Sequence, residues 1–271
     1  MAKRVESPSS INTFKQCKRK YYFQYLEKLP TSPSIHLVRG NIAHSVLEDF
    51  YDIDLSKTNE QNYEATFRGA IQQLLVHQWK QYGDRLKELK LTADQEKFYF
   101  EETMMMLMNW TNQFITVFSD TMKEKSLSTQ DTFVHLTPVR EQEYRSEKHS
   151  VRGFIDAIHY YGDEVHIVDY KTNARFDIKE SIMLQLGIYS LLYKEKHGKI
   201  PEKVGIHFLR NKLKMMNVDE ELVKNAEREI ELIHAHTSIT ENKSDYTRTI
   251  TPLCKWRTGQ CDFYETCKPH G

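Results

Sequence analysis

The sequence contains no long apolar run and no excess of charge of either sign. No stretch reaches the roughly 18 apolar residues that a membrane-spanning helix needs. The first residues, MAKRVESPSSINTFKQC, lack the apolar core of a signal peptide. The 38 basic and 38 acidic side chains give a formal net charge of zero, so any contact with nucleic acid must depend on local basic patches. These absences predict a cytoplasmic protein that does not associate with a membrane.

Two kinds of motif are also missing. There is no Gly-x-x-x-x-Gly-Lys-Ser/Thr phosphate loop, so unwinding of a duplex would need a partner protein or an end that is already single-stranded. No two of the four cysteines form a Cys-x-x-Cys pair. In a cytoplasmic protein, such cysteines are more often metal ligands or free thiols than disulfides.

The composition is that of a folded protein, since 39% of the 271 residues are hydrophobic and 28% are charged. Apolar spacing predicts helices over SPSSINTFKQCKRKYYFQYLEKL, RGNIAHSVLEDFY, about 60–81, about 92–118, ESIMLQLGIYSLLYKEKHG and DEELVKNAEREIELIHAHT. Strands are predicted near 133–139, 141–147, 150–160 and 164–171, with KVGIHFLR pairing with KLKMMNV. The segment SDTMKEKSLSTQD is predicted to be a loop. We expect one domain over 1–271, with a helical insertion at about 55–130 and a cysteine segment at about 252–271.

Two apolar, β-prone runs flank Gly162-Asp163 in RGFIDAIHYYGDEVHIVDYKTN, and each contains one aspartate. A hairpin turn centred on that dipeptide places Asp156 directly opposite Asp169. Opposed carboxylates have β-carbons about 4.5–5.5 Å apart and repel each other, so either one is protonated or a cation lies between them. Lys171 follows Asp169 by two residues and points to the same face. The pattern indicates two ligands of a divalent cation beside an ammonium group, or two structural carboxylates paired with Lys or Arg.

The motifs GFID, VDYKTN and QLGIY, in this order, resemble the core motifs of RecB-type nucleases in the PD-(D/E)XK superfamily. The resemblance implies a restriction-endonuclease-like α/β core, with a mixed central sheet flanked by helices and a helical N-terminal part. It also implies phosphodiester hydrolysis with Mg²⁺ or Mn²⁺ in DNA processing, repair or recombination. The family analogy favours exonuclease action on single-stranded DNA or at a free end.

The resemblance assigns roles to the residues of the hairpin. Asp156 and Asp169 would be metal ligands, and the peptide carbonyl of Tyr170 would be a further ligand. Lys171 would position or activate the attacking water. These roles follow from the match to the family's motifs, residue by residue.

Two more motifs extend the predicted site. Gln185 and Tyr189 match the family's Gln-x-x-x-Tyr motif and are four residues apart, hence on one helix face. The segment RGNIAHSVLE is similar to an upstream Gly-x-x-x-His-x-x-Leu-Glu segment of the family. That similarity makes His44 an additional metal ligand, with Glu48 one turn later on the same face.

The cysteines stand at both ends of the chain. Cys17 lies in the first predicted helix, and CKWRTGQCDFYETC contains Cys254, Cys261 and Cys267. A tail with few apolar residues gains little from burial, so a metal ligated by the thiolates is a natural reason for its order. Four thiolates suit zinc or an iron–sulfur cluster, and free structural cysteines are the third reading.

The layout of one cysteine before the nuclease motifs and three after them is similar to that of the iron–sulfur subset of the family, which includes AddB, exonuclease V and the CRISPR-adaptation nuclease. That subset implies a [4Fe–4S] cluster joining the two ends, although six residues separate Cys254 from Cys261 where the commoner pattern has two.

Contacts to the DNA backbone are expected among Arg39, Arg152, Arg175 and the basic residues of CKRKYY, each of which is equally explained as a solvated surface charge. Tyr21 and Tyr22 could stack on unpaired bases or pack in the core. A second function from another class also fits: a catalytically silent DNA-binding or scaffold module held together by zinc or iron. RNA as the substrate, and helicase or recombination and integration proteins as partners, stay open.

Overall fold

The structure, a computed structural model, describes residues 4–240, 242–257 and 259–268. The helices are α1 (Pro8–Gln16), α2 (Lys18–Tyr21), α3 (Ile35–Phe50), α4 (Tyr63–Gln81), α5 (Gly83–Glu88), α6 (Ala93–Lys125), α7 (Thr129–Leu136), α8 (Glu180–His197), α9 (Glu220–Thr237) and α10 (Tyr264–Cys267). A π-helical turn (Tyr22–Leu26) continues α2, and Lys243–Asp245 is a 3₁₀ turn. The strands are β1 (Val139–Ser146), β2 (Val151–Tyr161), β3 (Glu164–Lys171), β4 (Lys203–Phe208), β5 (Leu213–Asn217), β6 (Lys255–Trp256) and β7 (Gly259–Gln260). Within the described ranges, no helix is both long and apolar enough to cross a membrane.

The central sheet has five strands in the order β1-β2-β3-β4-β5. Its first three strands pair antiparallel, β3 and β4 pair parallel, and β5 returns antiparallel beside β4. The helix α8 makes the crossover between the two parallel strands and packs against the sheet and against α1 and α9. This is the mixed, helix-flanked α/β sheet that the sequence predicts.

Each face of the sheet has its own hydrophobic core. On one face, Ile158 and Ile167 belong to a cluster with residues of α1, α8 and α9. On the other face, Ala157, Val168 and Tyr170 belong to a cluster with residues of α3, α4, α6 and α7. The end of the β2–β3 pair is therefore fixed by packing from both sides.

The hairpin register agrees with the prediction. Gly162 has a φ of +65°, which glycine adopts without strain. Tyr161 pairs with Glu164 beside the turn, and the pairing continues in register to Ala157 with Val168.

Three local predictions are wrong. The segment SDTMKEKSLSTQD is not a loop, because α6 continues to Lys125 and α7 begins at Thr129. The strand predicted near 133–139 is instead the end of α7, whose N-cap Ser128 accepts a hydrogen bond from the Asp131 N–H. Cys17 does not lie within a helix but at the break between α1 and α2, in extended conformation.

Candidate active site

The β2–β3 ladder opens just past its last pair, Ala157 with Val168. Asp156 and Asp169 take the next position on each strand, and both are buried. Asp156 Oδ2 accepts a 2.7 Å hydrogen bond from the Tyr170 N–H. A carboxylate thus occupies the place of a backbone acceptor, and both aspartates lie where the strands separate.

The neighbouring strand β1 supplies a carboxylate that the sequence prediction missed. Arg140 pairs with Ala157 and Gln142 with Ile155, so Glu141 faces Asp156. Glu141 has a φ of 45°, a left-handed conformation that costs a non-glycine residue about 1–2 kcal/mol. The signal in the sequence is the register of the β1–β2 hairpin, which places residue 141 opposite residue 156.

The helix α3 carries His44 across this end of the sheet. His44 Nδ1 lies 3.4 Å from Asp156 Oδ1 and 3.9 Å from Glu141 Oε1. His44 Nε2 lies 3.0 Å from the carbonyl oxygen of Tyr170. One ligand atom from each of His44, Glu141 and Asp156 falls within 4.8 Å of the other two, whereas Glu48 is exposed.

Asp169 is tied to the residues of the other two predicted motifs. Lys171 Nζ lies 2.7 Å from Asp169 Oδ2. Gln185 Nε2 donates to Asp169 Oδ1 at 2.8 Å and to the Tyr189 hydroxyl oxygen at 2.7 Å. Apart from its ion pair with Lys171, the buried Oδ2 atom has no hydrogen-bond partner in the part of the chain that the structure describes. Only Lys171 therefore competes with a cation for this oxygen.

Tyr189 is positioned by a close approach to the GFID motif. A β-carbon on Gly153 would lie 2.9 Å from Tyr189 Cε1 and 3.4 Å from Leu192 Cδ1. Only glycine at this point of β2 lets the ring pack so closely against the strand. The glycine of the motif therefore supports the hydrogen bond from Gln185 to Tyr189.

We call His44, Glu141, Asp156, Asp169 and Lys171 the carboxylate site. Burial opposes the charged form of His44, but Asp156, Glu141 and Asp169 outweigh it and raise the pKa of His44 to about 10. Burial raises the pKa of Asp169 to about 6, with Lys171 opposing the rise and Asp156 adding to it. The site therefore holds more negative charge than its own cations offset. Oxygen-rich donors with one imidazole fit a hard divalent cation such as Mg²⁺ or Mn²⁺.

The four cysteines line one small cavity, which we call the cysteine pocket. Cys17 comes from the break after α1, and Cys254, Cys261 and Cys267 come from the tail. The Cys261 N–H donates to the Cys254 carbonyl at 3.0 Å, and burial and the neighbouring Cys17 raise the pKa of Cys267. The two ends of the chain meet here.

The basic and aromatic residues proposed to contact DNA have different environments. Arg39 is only 3% exposed and forms an ion pair with Glu102, so it is not available as the surface contact that was expected. Arg19 Nε donates to the Tyr246 carbonyl and helps to hold the tail. Tyr21 is fully buried in the core, and Arg175 is exposed.

A family model described as the PD-(D/E)XK nuclease superfamily matches residues 6–268. Among solved structures, a crystal structure of a presumed exonuclease from Eubacterium rectale is similar, with a TM-score of 0.49 and 11% identity, over 99% of this chain and 94% of that chain. No curated protein matches this sequence.

Proposed function

Because the chain belongs to the PD-(D/E)XK nuclease superfamily, we propose that it is a divalent-cation-dependent deoxyribonuclease that acts as an exonuclease on single-stranded DNA. One observation carries the proposal. The residues of four separate motifs, on α3, β2, β3 and α8, converge on the opening of the β2–β3 ladder. A catalytically silent scaffold would have no need for this convergence.

The carboxylate site would hold the cation through Asp156, Asp169 and His44, with Glu141 as a further ligand and the Tyr170 carbonyl beside them. When bound, Mg²⁺ or Mn²⁺ lowers the pKa of water and offsets the negative charge that develops on the phosphate. The fixed, buried carboxylates select the position of that cation. The hydrogen bond from the Tyr170 N–H keeps Asp156 in place when no cation is present.

Lys171 would act on the water and the phosphate rather than on the cation. Its ammonium group lies beside Asp169, at the edge of the site, and its side chain is 30% exposed. From there it can orient the attacking water by hydrogen bonding and neutralise charge in the transition state. Gln185, supported by Tyr189, fixes the second oxygen of Asp169.

The preference for a single strand and a free end is the finer part of the proposal. The absence of a phosphate-loop motor in the sequence supports it, because the chain would have to receive DNA that is already unpaired. The resemblance to RecB-type nucleases points to the same substrate. Duplex DNA and RNA are the competing substrates.

For the cysteine pocket we propose a [4Fe–4S] cluster bound by Cys17, Cys254, Cys261 and Cys267, with zinc as the alternative. All four thiols line one pocket although they come from distant parts of the sequence, and four thiolates are the ligand set of such a cluster. Protein purified without oxygen should be brown and contain iron and acid-labile sulfide, whereas colourless protein with one zinc per chain would favour the alternative.

The activity is tested with end-labelled single-stranded DNA, duplex DNA and RNA, each incubated with Mg²⁺, Mn²⁺ or EDTA. We expect shortening of single-stranded DNA from an end with either cation and none with EDTA. Lys171→Ala, purified in parallel, controls for contaminating nucleases. Cleavage that is unaffected by EDTA, or equal in the variant, would contradict the proposal.

The role of Glu141 is tested by Mn²⁺ titration calorimetry without DNA. Glu141→Gln removes one charged ligand and should weaken Mn²⁺ binding by about 10- to 100-fold. The matched control is Glu143→Gln on the same strand, because Glu143 pairs with Arg152 at the surface. Equal Mn²⁺ affinity in both variants would remove Glu141 from the ligand set.

A further inference from the structure

Near the carboxylate site, two arginines share one carboxylate. Arg39 and Arg210 each form an ion pair with a different oxygen of Glu102. Arg39 is buried, and its Nε has no hydrogen-bond partner among the described residues. The side chain of Arg210 is 20% exposed. The cluster therefore carries one positive charge more than Glu102 neutralises, and Arg210 is the member that a ligand can reach.

Arg210 is held against the segment that follows Lys171. Its Nε donates to the Thr172 carbonyl at 3.0 Å, and the Leu209 N–H donates to the Lys171 carbonyl at 2.9 Å. From α6, Asn109 Nδ2 donates to the carbonyls of Leu209 and Asn211 at 2.9 and 2.8 Å. The backbone on both sides of Arg210 is thus anchored, and its guanidinium is fixed beside the end of β3.

The helix α3 connects this cluster to the carboxylate site. Arg39 precedes His44 by five residues, which is about 7.5 Å along a helix axis. Gly40 lies between them, one turn before His44. A β-carbon on Gly40 would meet only Thr172 Oγ1, at an ordinary contact distance of 3.8 Å. Internal packing does not require glycine here, so its missing side chain leaves the helix surface open to an external backbone.

We propose that Arg210, positioned by Glu102, binds a phosphate of the DNA strand close to the one that is cut, and that the strand passes over Gly40 between the two sites. The short distance along α3 between Arg39 and His44, about 7.5 Å, keeps the two sites within reach of one strand. Guanidinium groups bind phosphate with charge-assisted hydrogen bonds, and Arg210 Nη2 donates none to the described residues. The inference rests on the proposed function and names the substrate contact of that same site.

The direct test uses a single-stranded oligonucleotide in which one neutral methylphosphonate is moved linkage by linkage. Binding is measured by fluorescence anisotropy with Mn²⁺ in the Lys171→Ala background, which prevents cleavage. With Arg210 present, the neutral linkage should weaken binding by about tenfold at one position. With Arg210→Gln, neutralising that linkage should have no further effect. The control is Arg228→Gln, an exposed arginine on α9, which should leave the profile unchanged.

A second pair of variants tests the path over α3. Gly40→Ala and Gly69→Ala both replace a helical glycine without a close internal contact, so neither should lower the melting temperature. Only Gly40→Ala should weaken binding of the oligonucleotide, by about tenfold if a methyl group displaces the strand. If Arg210→Gln does not fold, Arg210→Lys is the substitute. It keeps the positive charge but loses the bidentate guanidinium, so it should reduce the loss of binding at the one sensitive linkage.

Two outcomes overturn the inference. A methylphosphonate profile that is identical with and without Arg210, together with equal DNA binding of the two alanine variants, would show that the arginine pair is purely structural. If the wild-type protein nevertheless cleaves DNA with Mn²⁺, the proposed function stands and only the inference fails. If the wild type neither binds nor cleaves DNA, both fail.

Discussion

The carboxylate site and the cysteine pocket are both candidate metal sites, but the protein holds their donors in opposite ways. The donors of the first lie on α3, β1, β2 and β3, between two hydrophobic cores. The second is formed by a helix break and a tail whose described residues contain only the two-residue strands β6 and β7 and the four-residue α10 as regular elements. Among the described residues that follow α9, Tyr246 and Phe263 are the buried hydrophobic ones.

Packing of the fold alone is enough to place the donors of the carboxylate site, whereas the cysteine pocket needs a bound metal group to order its donors. At the carboxylate site, packing forces like charges together, so the apo protein is strained electrostatically but keeps its shape. At the cysteine pocket little apolar surface is buried, so the tail has few interactions to offset its conformational entropy. Removing a donor should therefore abolish function at the first site and local structure at the second.

The largest effect is expected for Asp156→Asn. Loss of this carboxylate should lower the single-turnover cleavage rate by about a thousandfold or more. The circular dichroism spectrum and the melting temperature should be preserved, because repulsion from Asp169 is relieved at the same time. The control is Asp163→Asn in the exposed turn of the same hairpin. If Asp156→Asn cleaves at the wild-type rate, Asp156 is not a ligand of the catalytic cation.

Substitutions in the cysteine pocket should lower stability, in contrast to those in the carboxylate site, which should lower activity. Cys17→Ala and Cys261→Ala should lose the bound metal and about 3–5 kcal/mol of stability, since the cross-link closes a loop of nearly the whole chain. In either variant, limited proteolysis should cleave the chain near both termini faster than in the wild type. If the two variants differ, or if the protein contains no metal and both are stable, the cysteines do not share one site.

The stability of Asp169→Asn relative to the wild type should depend on pH, because the variant lacks the buried carboxylate. Because burial raises the pKa of Asp169 to about 6, from about 3.8 for an unperturbed aspartate, its ionisation destabilises the cation-free fold. That cost is absent below pH 4, grows as the pH rises from 4 to 6, and is fully present above pH 6. The variant should therefore be more stable than the wild type by about 1–3 kcal/mol at pH 7.5 in EDTA, and about equal to it at pH 4.

Saturating Mn²⁺ should reverse this order, because the wild type binds the cation more tightly and so gains more stability from binding. Denaturant unfolding at the two pH values, with and without Mn²⁺, measures all of these differences. Greater stability of the wild type at pH 7.5 in EDTA would show that Asp169 is a structural ion-pair partner of Lys171.

The smallest effect is expected for Gly153→Ala. The new methyl group would press on Tyr189 and loosen its contact with Gln185. We expect a loss of about 1 kcal/mol in stability and a several-fold lower turnover with unchanged Mn²⁺ affinity. Tyr189→Phe in the same assay separates the hydroxyl from the packing. Wild-type turnover in Gly153→Ala would mean that Tyr189 does not position Gln185.

The sequence predicts the hairpin well because a two-residue turn fixes the register of every later pair as far as Ala157 with Val168, and Asp156 and Asp169 are the next residues on the two strands. It fails near Ser128, where a capping serine starts α7 within a segment of loop-like composition. The sequence prediction missed Glu141 because this residue reaches the site only through the pairing of β1 with β2. The Arg39–Glu102–Arg210 cluster joins three segments that are distant in the sequence. No local sequence pattern therefore predicts it.

The most direct test of the account is the single-turnover cleavage rate of Lys171→Ala at an Mn²⁺ concentration that saturates its own cation site, as measured by calorimetry. Lys171 is the one member of the carboxylate site that we assign to the chemistry and not to the cation. The account predicts near wild-type Mn²⁺ affinity and a cleavage rate lower by about a hundred- to a thousandfold. Weak Mn²⁺ binding with normal cleavage at saturation would contradict it, because Lys171 would then support the cation site and take no part in the reaction.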